Sequence, residues 1–485
     1  MISKDSQTDR ATGASVVTKL AEVDLVDGVV IALVSKQGSK KGINNLNMNL
    51  PKIAGSTLPI PTLTMNLSLQ KLRIRKFVWA LWIVSMCASC SNSGATGDAA
   101  GGTAGDGNTV KIVSSLPLTG SGSAQNQTVV NGIKQALAET NSTVCNGKLK
   151  IDYQSLDDAT AASGKWDPAQ ETGNANKAVA DKDVVAYIGT FNSGAAKLSI
   201  PILNQANLVM ISPANTYPGL TKAVKGSTAP NEPNVYYPNG KRNFSRVVAT
   251  DDLQGRLAAN WAQSLGVKKV YILDDQELYG KGLADIFDQD AKKTGIQVLG
   301  HEGIDPKAAD YKALMTKIKA LGPDMIYFGG ITQNNAGQLI KDMRSVGMTN
   351  DKVKFMGPDG IFEQSFIDAG GPAASGAYAT FLGLPPNQLA GAGQKWYKSY
   401  KSTYKSEPEP YASYGYEAAE VAINGINKVC KNDRDAIRAA VMNTKDIKGL
   451  TGTFSFDKNG DTTLPLGSGN EVKNGKWGFT KNLKV

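Results

Sequence analysis

Two short apolar runs end in polar residues that could hold a small anion. The run at 184–188 continues through Gly-Thr-Phe-Asn to Ser193, and the run at 209–211 continues through Ser-Pro-Ala-Asn to Thr216. Runs rich in Val, Ile and Tyr are typical of buried parallel strands, and ligands of open α/β sheets bind at the carboxyl ends of such strands. Ser193 stands where the intervening helix should begin, and the free N–H groups and dipole of a helix start attract anions. The pattern predicts a site for a small carboxylate, although Ser193 alone would also fit ordinary helix capping.

The sequence lacks the residue patterns of a catalytic or metal site. Ser193 is outside any Gly-x-Ser-x-Gly motif, and the single histidine, His301, lies in a predicted outer strand where we assign it a structural role. Neither a phosphate-binding loop nor a dinucleotide fingerprint occurs. The four cysteines do not have zinc-site spacing. We therefore expect no enzyme, no cofactor and no bound metal.

The composition of the chain limits the classes of protein to which it can belong. With 485 residues and a hydrophobic content of 41%, the chain can form two or three folded domains. Its net charge of +10 lies mostly in the first 90 residues, and no stripe of Lys and Arg with interleaved aromatic residues follows. We therefore expect no nucleic-acid partner.

The first hundred residues are predicted to be a targeting segment. Residues 1–64 are expected to be disordered or to lie upstream of a true start at Met65. Residues 65–90 have a basic segment, an apolar run and small residues before Cys90, which is the layout of a secretory signal. The last part of this segment resembles a bacterial lipoprotein signal, in which Cys90 would be the lipidated residue, although Cys87 replaces the usual leucine. Simple cleavage of the signal is the alternative. The Gly/Ala/Thr-rich stretch 91–108 is predicted to be a flexible linker.

From residue 109 onward, strand-like runs alternate with helix-like segments. This alternation predicts parallel sheets covered by helices on both faces. The pattern restarts after about residue 250, which predicts two lobes of the doubly wound α/β class. A hairpin is predicted at 452–461, where the chain would complete a sheet already built.

Six motifs occur in order along this body. They are Leu-Pro-Leu-Thr-Gly at 116–120, Asp-Asp at 157–158, Tyr-Ile-Gly-Thr-Phe-Asn-Ser-Gly at 187–194, Met-Ile-Ser-Pro-Ala-Asn-Thr at 210–216, Gln-Glu-Leu-Tyr-Gly-Lys-Gly-Leu at 276–283 and Phe-Met-Gly-Pro-Asp-Gly at 355–360. Together they resemble the bacterial leucine/isoleucine/valine-binding protein family, the substrate-binding subunits of ABC importers for amino acids. The resemblance covers about 109–485 and implies two parallel-sheet lobes joined by three crossovers. Lobe 1 would comprise 109–249 and 383–450, and lobe 2 would comprise 250–382 and 451–485.

The resemblance also implies which residues bind a free amino acid, whose carboxylate needs donors and whose ammonium needs acceptors. Ser193 and Thr216 match positions that hold the carboxylate. The carbonyl of Ala214 and the side chain of Asp359 match positions that accept from the ammonium, where the family usually has Glu instead of Asp. Other residues expected to line the pocket are Tyr279, Ile331, Gln125, Phe191 and Tyr411.

The residues at the predicted mouth bear on specificity. Gln125, Asn192 and Asn215 make the pocket more polar than one made for leucine alone. We therefore expect a range of neutral amino acids that includes glutamine, with strict branched-chain specificity as the alternative.

Family membership would imply further properties. The partners would be a free amino acid and ABC permease subunits, and the protein would be a monomer that meets a bacterial membrane only through its lipid anchor, in the periplasm or another extracytoplasmic space. A ligand-sensing receptor domain of the same fold, for amino acids or amides, is the alternative. The resemblance places Cys145 and Cys430 at the outer end of lobe 1, and export to an oxidising compartment then favours a disulfide between them.

Overall fold

The structure is a computed structural model, and it describes residues 108–484. The predicted extension, the signal, Cys90 and nearly all of the linker lie outside these residues. Among residues 108–484, no helix combines the length and the apolar character that a membrane span requires.

The first sheet has six strands in the order β2-β3-β1-β4-β5-β6, all parallel except β2, which runs antiparallel to β3. The strands are β1 (Thr109–Leu116), β2 (Thr143–Val144), β3 (Leu149–Asp157), β4 (Val184–Gly189), β5 (Val209–Ser212) and β6 (Phe244–Arg246). The helices between them are α1 (Ser123–Glu139), α2 (Pro168–Ala180) and α3 (Ser193–Gln205). Every residue of β4 and β5 is buried, as expected for strands covered on both faces.

A second sheet follows, built from the next five strands in the same alternating manner. Its strands are β7 (Lys269–Asp274), β8 (Gln297–Gly303), β9 (Met325–Gly329), β10 (Lys354–Gly357) and β11 (Ala377–Phe381). Its helices are α4 (Asp251–Ser264), α5 (Leu278–Lys293), α6 (Lys312–Ala320), α7 (Ala336–Ser345) and α8 (Gln364–Gly370). These five strands pair parallel with one another.

After β11 the chain returns to the first sheet and forms α9 (Ala392–Tyr404), α10 (Ala412–Val429) and α11 (Arg434–Met442). Helix α10 packs closely against α1 at Gly132. A larger residue would not fit at this contact, because a Cβ added to Gly132 would lie 2.1 Å from the carbonyl oxygen of Ala412. Cys145 and Cys430 form a disulfide with a Cα–Cα distance of 5.6 Å. These contacts hold α10 in place and so fix the position of Tyr411, directly before its first turn.

The last segment stays beside the first sheet before it crosses back. Strands β12 (Ile447–Lys448) and β13 (Thr453–Phe454) pair antiparallel. The backbone N–H of Arg246 donates to Gly460 at 3.0 Å, and its guanidinium contacts Asp461 at 2.7 Å. These bonds argue for a final crossing later than residue 451, and the lobe boundaries given by the resemblance stay predictions.

The chain turns back on itself near the hairpin predicted at 452–461, where Phe456 pairs antiparallel with Thr462, but this turn lies beside β6 and does not complete the second sheet. The hairpin that completes the second sheet is β14 (Ser468–Lys473) with β15 (Lys476–Asn482), and it gives the sheet order β15-β14-β11-β10-β9-β7-β8. Its turn is Asn474-Gly475, and both residues have positive φ, 51° and 73°. An Asn-Gly pair is the strongest short signal for a two-residue hairpin turn, because both central positions require positive φ.

Candidate functional site

A cavity lies where the carboxyl ends of the two sheets face each other. Segments that follow β4 and β5 provide one wall, with Phe191, Asn192, Ser193, Gly194 and Ala214. Segments that follow β7, β9 and β10 provide the other, with Asp275, Glu277, Tyr279, Ile331, Asp359 and Gly360. The strand ends of both sheets therefore build one site, as the general rule for open α/β sheets predicts.

The first wall offers hydrogen-bond donors. Ser193 is the first residue of α3, with Asn192 at the capping position before it. Ser193 is buried, and its Oγ accepts a long hydrogen bond, 3.4 Å, from the backbone N–H of Tyr217. The hydroxyl hydrogen and the first N–H groups of α3 can thus serve a bound anion. The loop carrying Ala214 is held by Ser212 Oγ, which accepts from the N–H of Ala214 at 3.1 Å.

The second wall presents a buried carboxylate. Asp359 follows β10 and is 5% exposed. Tyr279 donates to its Oδ1 at 2.7 Å, and Tyr411, from beside the first sheet, donates to its Oδ2 at 2.5 Å. Burial raises the pKa of Asp359, and these two hydrogen bonds act against that shift because they favour the ionised form. Each oxygen keeps a lone pair that can accept from a ligand cation.

Six of the nine residues predicted to bind a ligand line this cavity: Phe191, Ser193, Ala214, Tyr279, Ile331 and Asp359. Tyr411 joins them through its bond to Asp359 and through an edge-to-face contact with Phe191, with ring centroids 5.3 Å apart. Gln125 is buried outside the cavity lining and donates to Glu363 at 3.3 Å. Thr216 is also buried and does not line the cavity, and its carbonyl accepts from the N–H of Asp251.

Sequence reasoning missed a polar group at the mouth of the cleft. Lys165 donates to Glu277 at 2.5 Å and to Asn334 at 2.7 Å, while the indole of Trp166 donates to Glu277 at 3.2 Å. Gly194 is required beside this loop, since a Cβ there would lie 2.7 Å from the Trp166 ring. Glu277 could have been found, because it comes shortly after the end of β7, whereas nothing local to Lys165 indicates its partner.

Asp275 was missed as well, and it organises the second wall. It accepts from Asn334 Nδ2 at 2.7 Å and from the backbone N–H groups of Glu277 and Ile331 at 3.1 and 3.2 Å. Burial raises the pKa of Asp275 to about 7 even against these hydrogen bonds. The side chain therefore fixes the two loops that carry the neighbouring lining residues.

Two α/β lobes that enclose a cleft at the carboxyl ends of both sheets define a bilobal ligand-binding protein of the type I periplasmic class. Comparisons with known proteins support the same class. The family model described as periplasmic binding protein matches residues 109–467. Leu/Ile/Val-binding protein homolog 2 of Brucella abortus (strain 2308) is 30% identical over 72% of this chain and 86% of its own.

Solved structures give the same result. A leucine binding protein, LivK, from Thermotoga maritima is 26% identical, with a TM-score of 0.67 and coverage of 77% of this chain and 98% of that one. The branched-chain amino acid transporter substrate-binding protein LivJ from Streptococcus pneumoniae, solved in complex with isoleucine, shares the fold at 23% identity and a TM-score of 0.67, over 78% of this chain and 100% of its own. The chain belongs to the leucine/isoleucine/valine-binding protein family, whose members are extracytoplasmic substrate-binding proteins of ABC transporters rather than enzymes.

Proposed function

We propose that this protein captures a free neutral amino acid between its two lobes and delivers it to the permease of an ABC importer. Its relative in Brucella abortus is named for binding leucine, isoleucine and valine, and the Thermotoga maritima structure is that of a leucine binding protein. Both names fit a ligand with an α-carboxylate and an α-ammonium.

The observation that carries the proposal is the opposition of donors and a carboxylate across one cavity. Ser193 and the start of α3 stand on one wall, and Asp359 stands on the other. The ligand carboxylate would accept from Ser193, supported by Thr216, and the ammonium would donate to Ala214 O and to Asp359. Phe191, Tyr279, Ile331 and Tyr411 would enclose the ligand, with Gln125 further out.

Asp359 provides the decisive test. Removing its carboxylate should leave a desolvated ammonium without its charged partner, so Asp359→Ala should weaken binding by about 30- to several-thousand-fold, or roughly 2–5 kcal/mol. Asp359→Asn should also weaken binding, because it removes the charge and keeps the size. Titration calorimetry with the tightest-binding common amino acid, chosen by thermal shift, measures both.

A deaminated analogue of that amino acid should bind wild type poorly and lose little more on mutation. Asp368→Ala is the matched control, since Asp368 is an exposed aspartate on α8 outside the cavity. An affinity of Asp359→Ala within about threefold of wild type would refute the assignment.

We further propose that the mature protein begins at a lipidated Cys90, which anchors a monomer to the outer face of a bacterial membrane. The basic and apolar segments before Cys90 support this processing. The intact mass of membrane-extracted protein measures it, and a mature chain that retains residues 1–64 would contradict it.

A further inference from the structure

A second, smaller cavity adjoins the first, and Phe191, Asn192 and Ile331 line both. If the first cavity holds the carboxylate and the ammonium, the ligand side chain extends into the second. The walls of this second cavity combine apolar surfaces of Trp166, Phe191 and Ile331 with the amide groups of Asn126, Asn192 and Gln333. A pocket for a hydrocarbon side chain alone would not need three amides.

Asn126 is the most informative of the three. It lies on the first turn of α1 and is 1% exposed. Its Nδ2 donates to the carbonyl of Gly122 at 2.9 Å, and this bond fixes the orientation of the amide. Its Oδ1 is buried and has no hydrogen-bond partner among residues 108–484. Because a buried acceptor without a donor is costly, this atom calls for a donor from a ligand.

Asn192 supplies the complementary group. It occupies the capping position of α3, yet its side chain makes no capping hydrogen bond there. Asn192 lines both cavities, so its amide can turn toward a ligand. Gln333, by contrast, already donates to Glu363 at 3.0 Å.

Among the residues that line this cavity, Lys165 carries the charge, and it is already paired with Glu277. Glu363 lies outside the lining and accepts from both Gln125 and Gln333. A charged ligand side chain would therefore meet no unpaired opposite charge in this cavity, which favours a neutral polar one.

From this geometry we propose that the ligand is an amino acid with a carboxamide side chain, glutamine or asparagine. The ligand N–H would donate to Asn126 Oδ1, and the ligand carbonyl would accept from Asn192 Nδ2. A leucine side chain would leave Asn126 Oδ1 without a donor, and a carboxylate would oppose its lone pairs. This inference rests on the proposed function and narrows its ligand class.

Titration calorimetry of the purified protein with L-glutamine, L-asparagine, L-leucine, L-isoleucine and L-glutamate tests it. One of the two carboxamide ligands should bind at least about tenfold more tightly than leucine, isoleucine or glutamate. Binding of leucine or isoleucine as tightly as either amide would overturn this inference and leave the proposed function intact. Failure of every common amino acid to bind, in the thermal-shift screen and in these titrations, would overturn both.

Two variants place the preference at these residues. Asn126→Leu should weaken carboxamide binding by about 10- to 100-fold and leave leucine binding unchanged or tighter. Asn192→Ala should also weaken carboxamide binding selectively. Because the Asn192 side chain makes no capping hydrogen bond, this variant should fold, and it tests the proposal if Asn126→Leu folds poorly. Gln127→Leu, on the exposed face of α1, is the control. An equal loss for amide and aliphatic ligands in a folded variant would overturn the proposal.

Discussion

At the scale of single residues, Glu417 shows how deeply this protein buries ionisable groups. It lies within α10 with its side chain fully buried, and it accepts hydrogen bonds from the N–H and the hydroxyl of Thr451 at 2.8 and 2.9 Å. Burial raises the pKa of Glu417 to about 8, even though these bonds favour the charged form. The native state therefore holds this proton more tightly than the unfolded chain.

A pH dependence of stability follows from that shift. The contribution of protonated Glu417 is fully present below its unfolded pKa of 4.5 and is lost as the pH rises through about 8. Glu417→Gln removes the titration, so the variant should lose less stability than wild type between pH 6 and 9, by on the order of 2–4 kcal/mol.

Chemical denaturation at several pH values measures this difference. Glu407→Gln is the control, because Glu407 lies at the surface, paired with Lys401, and its pKa is lowered. Parallel stability curves for wild type and Glu417→Gln would show that Glu417 does not hold the proton.

The pattern of strand ends placed Ser193 and the segment that carries Ala214 at one site, and the resemblance to the family added Asp359; the structure places all three at one cavity. Their roles toward a ligand stay predictions. The bond between Lys165 and Glu277 joins residues 112 positions apart, and that between Gln125 and Glu363 joins residues 238 apart. Such pairs depend on how the lobes meet, which no local pattern contains.

At the scale of elements, the 158–167 loop connects the two sides of the cleft mouth. An isolated β-bridge between Ala159 and Trp166 closes the loop on itself. Lys165 and Trp166 then both contact Glu277 on the opposite wall. Lys165 and Glu277 keep 26% and 23% of their side chains exposed, so solvent screens the pair in part.

Removing this contact should destabilise the closed form more than the open one. Lys165→Ala should therefore weaken ligand binding by roughly 3- to 10-fold, mostly through faster dissociation. Stopped-flow fluorescence, with Trp166 as a natural reporter, measures the rates. Lys182→Ala, at an exposed lysine just after α2, should leave both rates unchanged. A dissociation rate equal to wild type in Lys165→Ala would contradict this role for the loop.

The disulfide lies at the end of α10 that is far from the cleft. Helix α10 has 18 residues, so Tyr411 at its start and Cys430 after its end are about 27 Å apart. The bond closes a sequence separation of 285 residues and restricts the unfolded chain. Changing both Cys145 and Cys430 to Ser should lower the free energy of unfolding by roughly 2–5 kcal/mol.

The same double variant should keep its ligand affinity within about threefold, because the cleft lies at the opposite end of α10. Denaturant unfolding and calorimetry on one preparation separate the two effects. Two free thiols in the unfolded, unreduced wild type would rule the bond out.

The strand and helix order was predictable because each element has its own apolar period, and β4, α3 and β5 lie close to where the sequence placed them. The strands that complete the second sheet were not predicted correctly. The 452–461 stretch does form a turn, with Phe456 paired to Thr462, but its further partner is Arg246 of β6, more than 200 residues earlier, and not the second sheet. The Asn474-Gly475 turn was the stronger signal and marked the hairpin that completes the second sheet.

At the scale of the whole molecule, the described conformation is closed across the cleft. Tyr411, Lys165 and Gln125 on the first-sheet side bond to Asp359, Glu277 and Glu363 on the second-sheet side. Three chain segments join the two sides, after β6, after β11 and before β14, and such a joint permits hinge motion. A ligand that contacts both walls favours this closed form by its differential affinity for it.

We therefore expect the tightest-binding amino acid to lower the radius of gyration of the protein in small-angle X-ray scattering. Its deaminated analogue, held at a concentration that saturates, should leave more of the population open, because it contacts the first wall but offers Asp359 no donor. Asp359→Ala with the saturating amino acid should resemble wild type with the analogue, while Asp368→Ala should close as wild type does. If the amino acid and its analogue contract the protein equally, closure does not depend on the ammonium and Asp359. If neither changes the scattering, the cleft stays closed in solution, and the ligand must enter without the hinge opening that the three joining segments allow.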